Sequence, residues 1–164
     1  IYNYAAGVQR HITDKDAVSR LHQLIDAVRN TMYAAKNIKD ALPDIEQLSK
    51  SVKDQKYNYY LQTGKRLTDF FDKIIPLVIE PKSNDNFKQI KAIYTFIQES
   101  YHQMLAELYR EDLHRNLTEM EFSTVVNFNR EIFTCEKSII FALKGLLLTG
   151  NESALFEELP GFIR

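Results

Sequence analysis

Two short segments of the chain each place a histidine three residues after a glutamate. They are Glu99 to His102 and Glu111 to His114, both reading E-x-x-H. In di-iron helical bundles such a pair projects inward and binds metal together with carboxylates from other helices. Here the two motifs start twelve residues apart on one predicted helix, which is about 18 Å along the axis, whereas the metals of a binuclear site are about 4 Å apart. The motifs therefore cannot share a site, and solvated flank positions are the favoured interpretation.

Two pairs of acidic residues lie one helical turn apart, Asp40 with Asp44 and Glu107 with Glu111. Carboxylates at this spacing share a helix face and can bind a hard cation. Pro43 lies inside the first pair, where a distorted turn is a poor frame for precise ligands. We assign no metal site from the sequence and keep Asp40 and Asp44 as the candidate ligands, with a solvated helix face as the alternative.

Signals for nucleophilic and nucleotide chemistry are absent from the sequence. Cys135 is the single thiol, and its position beside an apolar stripe predicts a buried side chain that acts as a small hydrophobe. The sequence contains no G-x-S-x-G elbow, no G-x-x-x-x-G-K-[ST] loop and no G-x-G-x-x-G loop. It therefore predicts a protein that is not an enzyme and that needs no cofactor.

A cluster of basic and aromatic residues occupies Lys53 to Tyr60. Such a mixture can stack bases and contact phosphates. However, 21 Lys and Arg against 22 Asp and Glu give a net charge of -1, so no positive field supports nucleic-acid binding. Tyrosines at a helix start more often lie at the end of a bundle, with the ring buried and the hydroxyl in water. No nucleic-acid partner is predicted.

The composition fits one helical domain over residues 1–164. A chain of 164 residues is long enough for one self-supporting core. The longest nearly apolar stretch, Ile139 to Leu148, is interrupted by Lys144 and is shorter than the roughly 20 residues that a membrane span needs. We therefore expect no membrane insertion by this segment. One cysteine excludes an internal disulfide.

Apolar residues recur every three or four positions along nearly the whole chain, which is typical of amphipathic helices. The pattern predicts an all-α fold, an up-and-down antiparallel bundle of about four long helices at about 14–51, 55–80, 85–115 and 119–149, with a tail at 150–164. The predicted core stripes of the first two helices are Val18, Leu21, Ile25, Val28, Met32, Ala35, Leu42, Ile45 and Val52, and then Tyr57, Tyr60, Leu61, Leu67, Phe71, Ile74 and Val78. Those of the third and fourth are Phe87, Ile90, Tyr94, Ile97, Tyr101, Met104, Leu108 and Leu113, and then Phe122, Val125, Phe128, Ile132, Ile139, Leu143 and Leu146.

Capping residues predict where several helices begin and end. Thr13 to Asp16 reads as an N-terminal box for the first helix, and Thr118 to Glu121 as a capping box for the fourth. Gly150 is predicted to end the fourth helix in the left-handed conformation, with the tail forming one more turn or docking on the bundle. Pro43 predicts a kink near residues 39–42.

Two segments carry a family resemblance. Val28 to Asp40, and Phe128 to Ile132 leading into Lys137 to Lys144, resemble the PhoU-like helical domain at the C-terminus of bacterial sodium/phosphate cotransporter family proteins. The resemblance extends over most of the chain, from about Asp16 to Leu148. In that family a membrane domain carries phosphate with sodium, and the helical domain follows it in the cytoplasm.

The resemblance implies a non-catalytic regulatory and interaction domain that acts in phosphate transport or homeostasis. It would lie on the cytoplasmic side of the bacterial inner membrane and contact the transmembrane domain of the same chain, a twin copy in a homo-oligomer, or a regulator. Because the chain begins with Ile1 and not Met, we expect it to be a piece excised from a longer membrane protein.

One departure from the family pattern bears on metal binding. PhoU proteins carry acidic E/D-x-x-x-D repeats that hold metal clusters, but Lys36 stands in the place of the first acid and only Asp40 remains. In the second half Glu131 is followed four residues later by Cys135. The metal function is therefore not carried over to any residue. Two alternatives stay open: a metal-binding carboxylate bundle, and a free-standing PhoU-like adaptor in phosphate signalling.

Overall fold

Five α-helices make up the computed structural model, which describes residues 14–79, 85–110 and 116–161 together with residues 3, 7 and 8. The helices are α1 (Lys15–Ser49), α2 (Asp54–Ile79), α3 (Asn86–Leu108), α4 (Glu119–Leu147) and α5 (Gly150–Glu157). No strand occurs in these ranges, which confirms the predicted all-α bundle. None of the helices described is both long and apolar enough to cross a bilayer.

Hydrogen bonds between helices show that α2 runs antiparallel to α3 and that α1 runs antiparallel to α4. The Tyr59 hydroxyl near the start of α2 donates a hydrogen bond to the Met104 carbonyl near the end of α3, at 3.0 Å. The Arg20 guanidinium near the start of α1 donates to the Gly145 carbonyl near the end of α4, at 3.0 Å. The bundle therefore has the up-and-down topology that short connections favour.

Side-chain caps begin α1 and α4. The Asp14 carboxylate accepts hydrogen bonds from the backbone N–H groups of Asp16 and Ala17, so Asp14 is the N-cap of α1, while Thr13 lies outside the described residues. The reciprocal capping box of Thr118 and Glu121 begins α4 as predicted. Both caps satisfy N–H groups that the first helical turn leaves unpaired.

Two predicted boundaries differ from the structure. α3 ends at Leu108 and not near residue 115, and residues 111–115 lie outside the described part of the chain. Gly150 is not a left-handed terminator: it is the first residue of α5, because Thr149 and Glu152 form a second capping box around it. α5 occupies the first half of the predicted tail. α1 continues as one helix through Pro43.

The core consists of two clusters of buried side chains. The first joins α2, α3, α4 and α5 around Phe70, Tyr94, Ile140 and Phe156, and Tyr94 and Phe156 have ring centroids 5.3 Å apart. The second lies toward the other end of the bundle and joins α1, α2, α3 and α4. Its members are Ala41, Leu48, Tyr59, Met104, Leu108, Val125, Phe128 and Ile132. Most of the predicted stripes of the third and fourth helices belong to these clusters.

The predicted core stripe of the first helix is only partly right: five of its nine residues are half-buried, and none is fully buried. The buried residues of α1 are Ala27, Ala34, Ala41 and Leu48, spaced at intervals of seven. Met32 and Leu42 are 59% and 53% exposed, and Val52 in the following turn is 98% exposed. The burial of α1 follows its small residues because they allow α4 to approach closely.

The second stripe is partly wrong as well. Ile74 is buried and Tyr60 and Leu67 are half-buried, but Leu61, Phe71 and Val78 are exposed. The row that α2 directs inward also contains polar side chains. They are Lys56, Thr63 and Arg66, each with less than a tenth of its surface exposed.

Candidate functional site

Among the helices that the structure describes, α1 and α4 share the most extensive contact. Ala27, Ala34 and Ala41 are buried on α1, and Ala41 belongs to a core cluster with Val125, Phe128 and Ile132 of α4. Near one end of the contact Gly145 comes so close to α1 that a Cβ there would lie 2.8 Å from the Gln23 carbonyl oxygen and 3.2 Å from the Ala27 Cβ. These small residues hold the two backbones together along the helices.

Arg20 fixes the end of α4 on α1. Its guanidinium donates to the Gly145 carbonyl at 3.0 Å and to the Leu146 carbonyl at 2.8 Å. The last carbonyls of a helix have no partner within the helix, and a cation also favours the negative end of the helix dipole. Arg20 therefore caps α4 from a neighbouring helix.

A cleft of about 700 Å³ opens along one side of this contact, between α1, α4 and α5. Its walls carry Asp26, Arg29 and Tyr33 from α1, and Lys137, Ser138 and Lys144 from α4. Arg29, Tyr33, Lys137, Ser138 and Lys144 belong to the two segments that resemble the cotransporter domain. The structure thus brings the two segments together around one concave surface.

The cleft is polar, and several of its charges are paired. Arg29 contacts Asp26 at 2.8 Å, and Lys144 contacts Glu157 of α5 at 2.7 Å. The Lys137 ammonium lies 5.4 Å from the centroid of the Phe141 ring, and burial lowers the pKa of Lys137. Amines, hydroxyls and a guanidinium on a half-open wall are groups that recognise a polar or anionic partner.

The two candidate metal ligands have different surroundings in the structure. Asp40 is exposed and contacts Lys36 on its own helix at 3.4 Å. Asp44 is half-buried, and its pKa is raised, first by burial and then by the nearby charge of Glu131 on α4. Among the residues described, no group of three or more His, Cys, Asp or Glu could hold a metal ion.

The other residues considered for chemistry take dispersed positions. Glu99 and His102 are exposed on α3, and Glu111 to His114 lie outside the described residues. Glu107 accepts a hydrogen bond from Gln103 at 3.1 Å. Cys135 is buried, and burial together with the charge of Glu136 raises its pKa to about 11, so the thiol stays protonated at neutral pH.

The basic and aromatic cluster forms one end of the bundle. Lys53 and Lys56 contact the Glu121 carboxylate at 2.6 and 3.5 Å, and the hydrogen bond from Lys53 is the largest cause that lowers the pKa of Glu121 to about 2. Lys56 and Tyr59 are buried. The ion pairs join the start of α2 to the start of α4, which is a structural role.

A buried polar cluster, which sequence reasoning missed, joins α2, α3 and α4. The Arg66 guanidinium donates to the Met104 sulfur at 2.9 Å and to the Asn129 side-chain oxygen at 3.2 Å, and it pairs with the Glu136 carboxylate at 3.3 Å. Asn129 and Glu136 are fully buried. Asn129 and Glu136 are seven residues apart and lie among the apolar core residues of the fourth helix. Two polar residues at this spacing in a core stripe are the signal that the sequence carries for the cluster.

Glu136 is the member of this cluster whose charge is least offset by contacts. Burial raises its pKa to about 7, although the nearby Arg66 acts in the opposite direction. Within the described part of the chain neither Glu136 carboxylate oxygen accepts a hydrogen bond. A buried charge with one ion-pair partner and no hydrogen bonds is costly, so a proton is retained to near neutral pH.

Comparison of the chain with protein-family models, curated proteins and solved structures found no match.

Proposed function

We propose that this chain is a non-catalytic regulatory and interaction domain of a sodium-dependent phosphate transporter, on the cytoplasmic side of a bacterial inner membrane. The observation that carries the proposal is the position of the two resembling segments. Val28 to Asp40 lies on α1 and Phe128 to Lys144 on α4, and both contribute to the cleft of about 700 Å³. Two segments far apart in the sequence thus form one surface.

The arrangement suits regulation by contact. α1 and α4 form a closely packed unit, while α2 makes far fewer contacts with either of them. A partner that binds one arrangement of these helices more tightly than another shifts the population toward it. The transmembrane domain of the same chain is the first such partner, and the cleft is the surface we assign to regulation.

The experiment is deletion of residues 1–164 from the parent protein, followed by measurement of sodium-dependent phosphate uptake at low and high external phosphate. We expect the response of uptake to external phosphate to change while sodium dependence is retained. Membrane expression of the truncated protein must equal that of the full-length protein. Uptake identical to that of the full-length protein at both concentrations would contradict the proposal.

A free-standing adaptor in phosphate signalling is the second candidate, because the same cleft would serve it equally well. The two candidates differ in where the chain resides. Fractionation of cells that express the native gene places a transporter domain in the membrane fraction and an adaptor in the soluble fraction.

A further inference from the structure

The side chains that α2 buries change in character halfway along the helix. In its first half, residues 54–66, every buried side chain has a polar group: Lys56, Tyr59, Thr63 and Arg66. In its second half, residues 67–79, the buried side chains are all apolar: Phe70, Ile74 and Leu77. These three belong to the core cluster that α3, α4 and α5 complete. The second half is therefore packed into the apolar core, while the first half depends more on polar contacts.

Polar contacts attach the first half of α2 at both of its ends. Near the start, Lys56 contacts the Glu121 carboxylate of α4 at 3.5 Å. Near residue 66, the Arg66 guanidinium contacts the Glu136 carboxylate of α4 at 3.3 Å. The second contact is the more deeply buried one, with Arg66 and Glu136 side chains that are 7% and 0% exposed. A change in the charge of Glu136 therefore acts directly on the attachment of α2.

The Arg66–Glu136 contact lacks the hydrogen bonds that a buried ion pair needs. Among the residues described, neither carboxylate oxygen of Glu136 has a hydrogen-bond partner, and neither do Nε and Nη2 of Arg66. The Thr63 hydroxyl and the Asn129 side-chain nitrogen are unpaired in the same way. Water would solvate these groups if α2 moved away, so the ionised pair opposes the docked position of the helix.

Arg66 is the charged group that acts on Glu136. The neighbouring Cys135 thiol has a pKa raised to about 11 and is uncharged near neutrality. The residues that α1 buries carry no charge. The other ionisable groups on these stretches of helix act on different residues or line the cleft, and they are Glu107 on α3, Asp44 on α1, and Glu131 and Lys137 on α4. Loss of the Glu136 proton is therefore felt mainly at the contact with α2.

Proton binding to Glu136 favours the docked position of α2. While the helix is docked, burial raises the pKa of Glu136 from 4.5 to about 7, and Arg66 opposes this rise. When water reaches the carboxylate, its pKa returns toward the ordinary value. The docked form therefore binds the proton more tightly. Its stabilisation is complete below the ordinary pKa and is lost as the pH rises through the docked pKa.

We infer that the first half of α2 is a proton-sensitive switch, in which residues 54–66 dock on α3 and α4 while Glu136 is protonated and move away when Glu136 is ionised. The second half stays in the apolar core and serves as the pivot. Because α2 makes far fewer contacts with α1 and α4 than these two helices make with each other, the movement leaves the α1–α4 unit intact. The inference goes beyond the proposed function and holds whether or not the chain acts in phosphate transport.

The accessibility of a thiol at position 63 tests the switch. Cys135 is the single native cysteine, so Cys135→Ala gives a thiol-free chain to which Thr63→Cys adds one probe of similar size. Position 63 is buried, and its hydroxyl makes no hydrogen bond to the residues described, so the exchange removes none. The rate of reaction with an aromatic disulfide reagent is divided at each pH by that of an unstructured peptide with the same thiol, which corrects for thiol ionisation.

We expect this rate ratio to rise about tenfold between about pH 6 and pH 8, which is the linkage for a carboxyl whose pKa is about 7 when docked and 4.5 when open. Glu136→Gln in the same background keeps the shape of the side chain and removes the titration, so the ratio should no longer depend on pH. Ile74→Cys is the matched probe in the second half of α2, where the ratio should stay low at both pH values.

Three results would overturn the inference. They are a rate ratio at position 63 that does not change with pH, the same change in the Glu136→Gln chain, and an equal change at position 74, which would mean that the whole bundle opens. Circular dichroism at both pH values confirms that the helices persist in each variant. Phosphate uptake plays no part in this measurement, so its outcome is separate from that of the deletion experiment.

Discussion

At the scale of single residues, the Arg66–Glu136 pair makes the stability of the folded chain depend on pH near neutrality. Burial raises the pKa of Glu136 from 4.5 to about 7 in the folded chain. The folded protein therefore keeps a proton that the unfolded chain releases, and this stabilisation is complete below the unfolded pKa and is lost as the pH rises through the folded pKa. Glu121 acts in the opposite direction and in another range: its pKa of about 2 gives stability that is lost as the pH falls below 4.5.

We predict that the free energy of unfolding of the wild-type chain falls by about 1–3 kcal/mol between about pH 5 and pH 8. Glu136→Gln keeps the shape of the side chain and removes the titration, so its free energy of unfolding should be nearly constant over that range. Urea unfolding followed by circular dichroism at several pH values measures both. Equal slopes in the two proteins would show that Glu136 does not titrate in this range.

At the scale of helices, the close approach of α4 to α1 depends on Gly145. At a helical position without neighbours, glycine destabilises the helix by about 1 kcal/mol relative to alanine. On that ground alone Gly145→Ala would be stabilising. Here the added Cβ would lie 2.8 Å from a backbone oxygen of α1, which cannot move aside as a flexible side chain does. The packing penalty therefore opposes the gain in helix propensity.

We predict that Gly145→Ala lowers the free energy of unfolding by about 1–3 kcal/mol, the usual cost of overpacking. Gly64→Ala is the matched control, since an added Cβ on α2 has no atom within 4 Å, and we expect it to stabilise by up to about 1 kcal/mol. Thermal and urea denaturation measure both variants. A stabilising Gly145→Ala would mean that α1 and α4 are not in close contact at this point.

The sequence predicts the helices of this bundle far better than the faces they bury. Apolar residues at intervals of three and four are enough to identify α1 to α4, and the Thr118 capping box gives the start of α4 correctly. On α1, however, the larger apolar residues such as Met32 and Leu42 are exposed, while Ala34 is buried. Periodicity cannot tell which apolar residues of a helix face the core when apolar residues occur on several of its sides.

For the candidate site as well, the sequence predicts local features but not the contacts between helices. The residues that the sequence offers as candidate ligands do not form one site. They are Asp40, Asp44, Glu99 and His102. The cleft and the buried cluster arise from helix pairing, which fixes contacts such as Arg66 with Glu136 across 70 residues of sequence. No local pattern around Arg66 gives its partner, because a lone arginine in a helix is usually exposed.

At the scale of the whole molecule, the bundle presents two surfaces on different sides of α1. One is the polar cleft toward α4 and α5, which we assign to regulation of the parent protein. The other carries exposed apolar side chains of α1, among them Leu24, Ile38 and Leu42.

The most direct test of the central claim is sodium-dependent phosphate uptake by the parent protein carrying Lys137→Met. This change removes the charge of the half-buried amine from the cleft and keeps an apolar side chain beside Phe141. Lys91→Met, on the exposed surface of α3, is the matched control. We predict that Lys137→Met alters the response of uptake to external phosphate as deletion of residues 1–164 does, while Lys91→Met behaves as wild type. A Lys137→Met protein with the wild-type response at equal expression would contradict the assignment of the cleft to regulation.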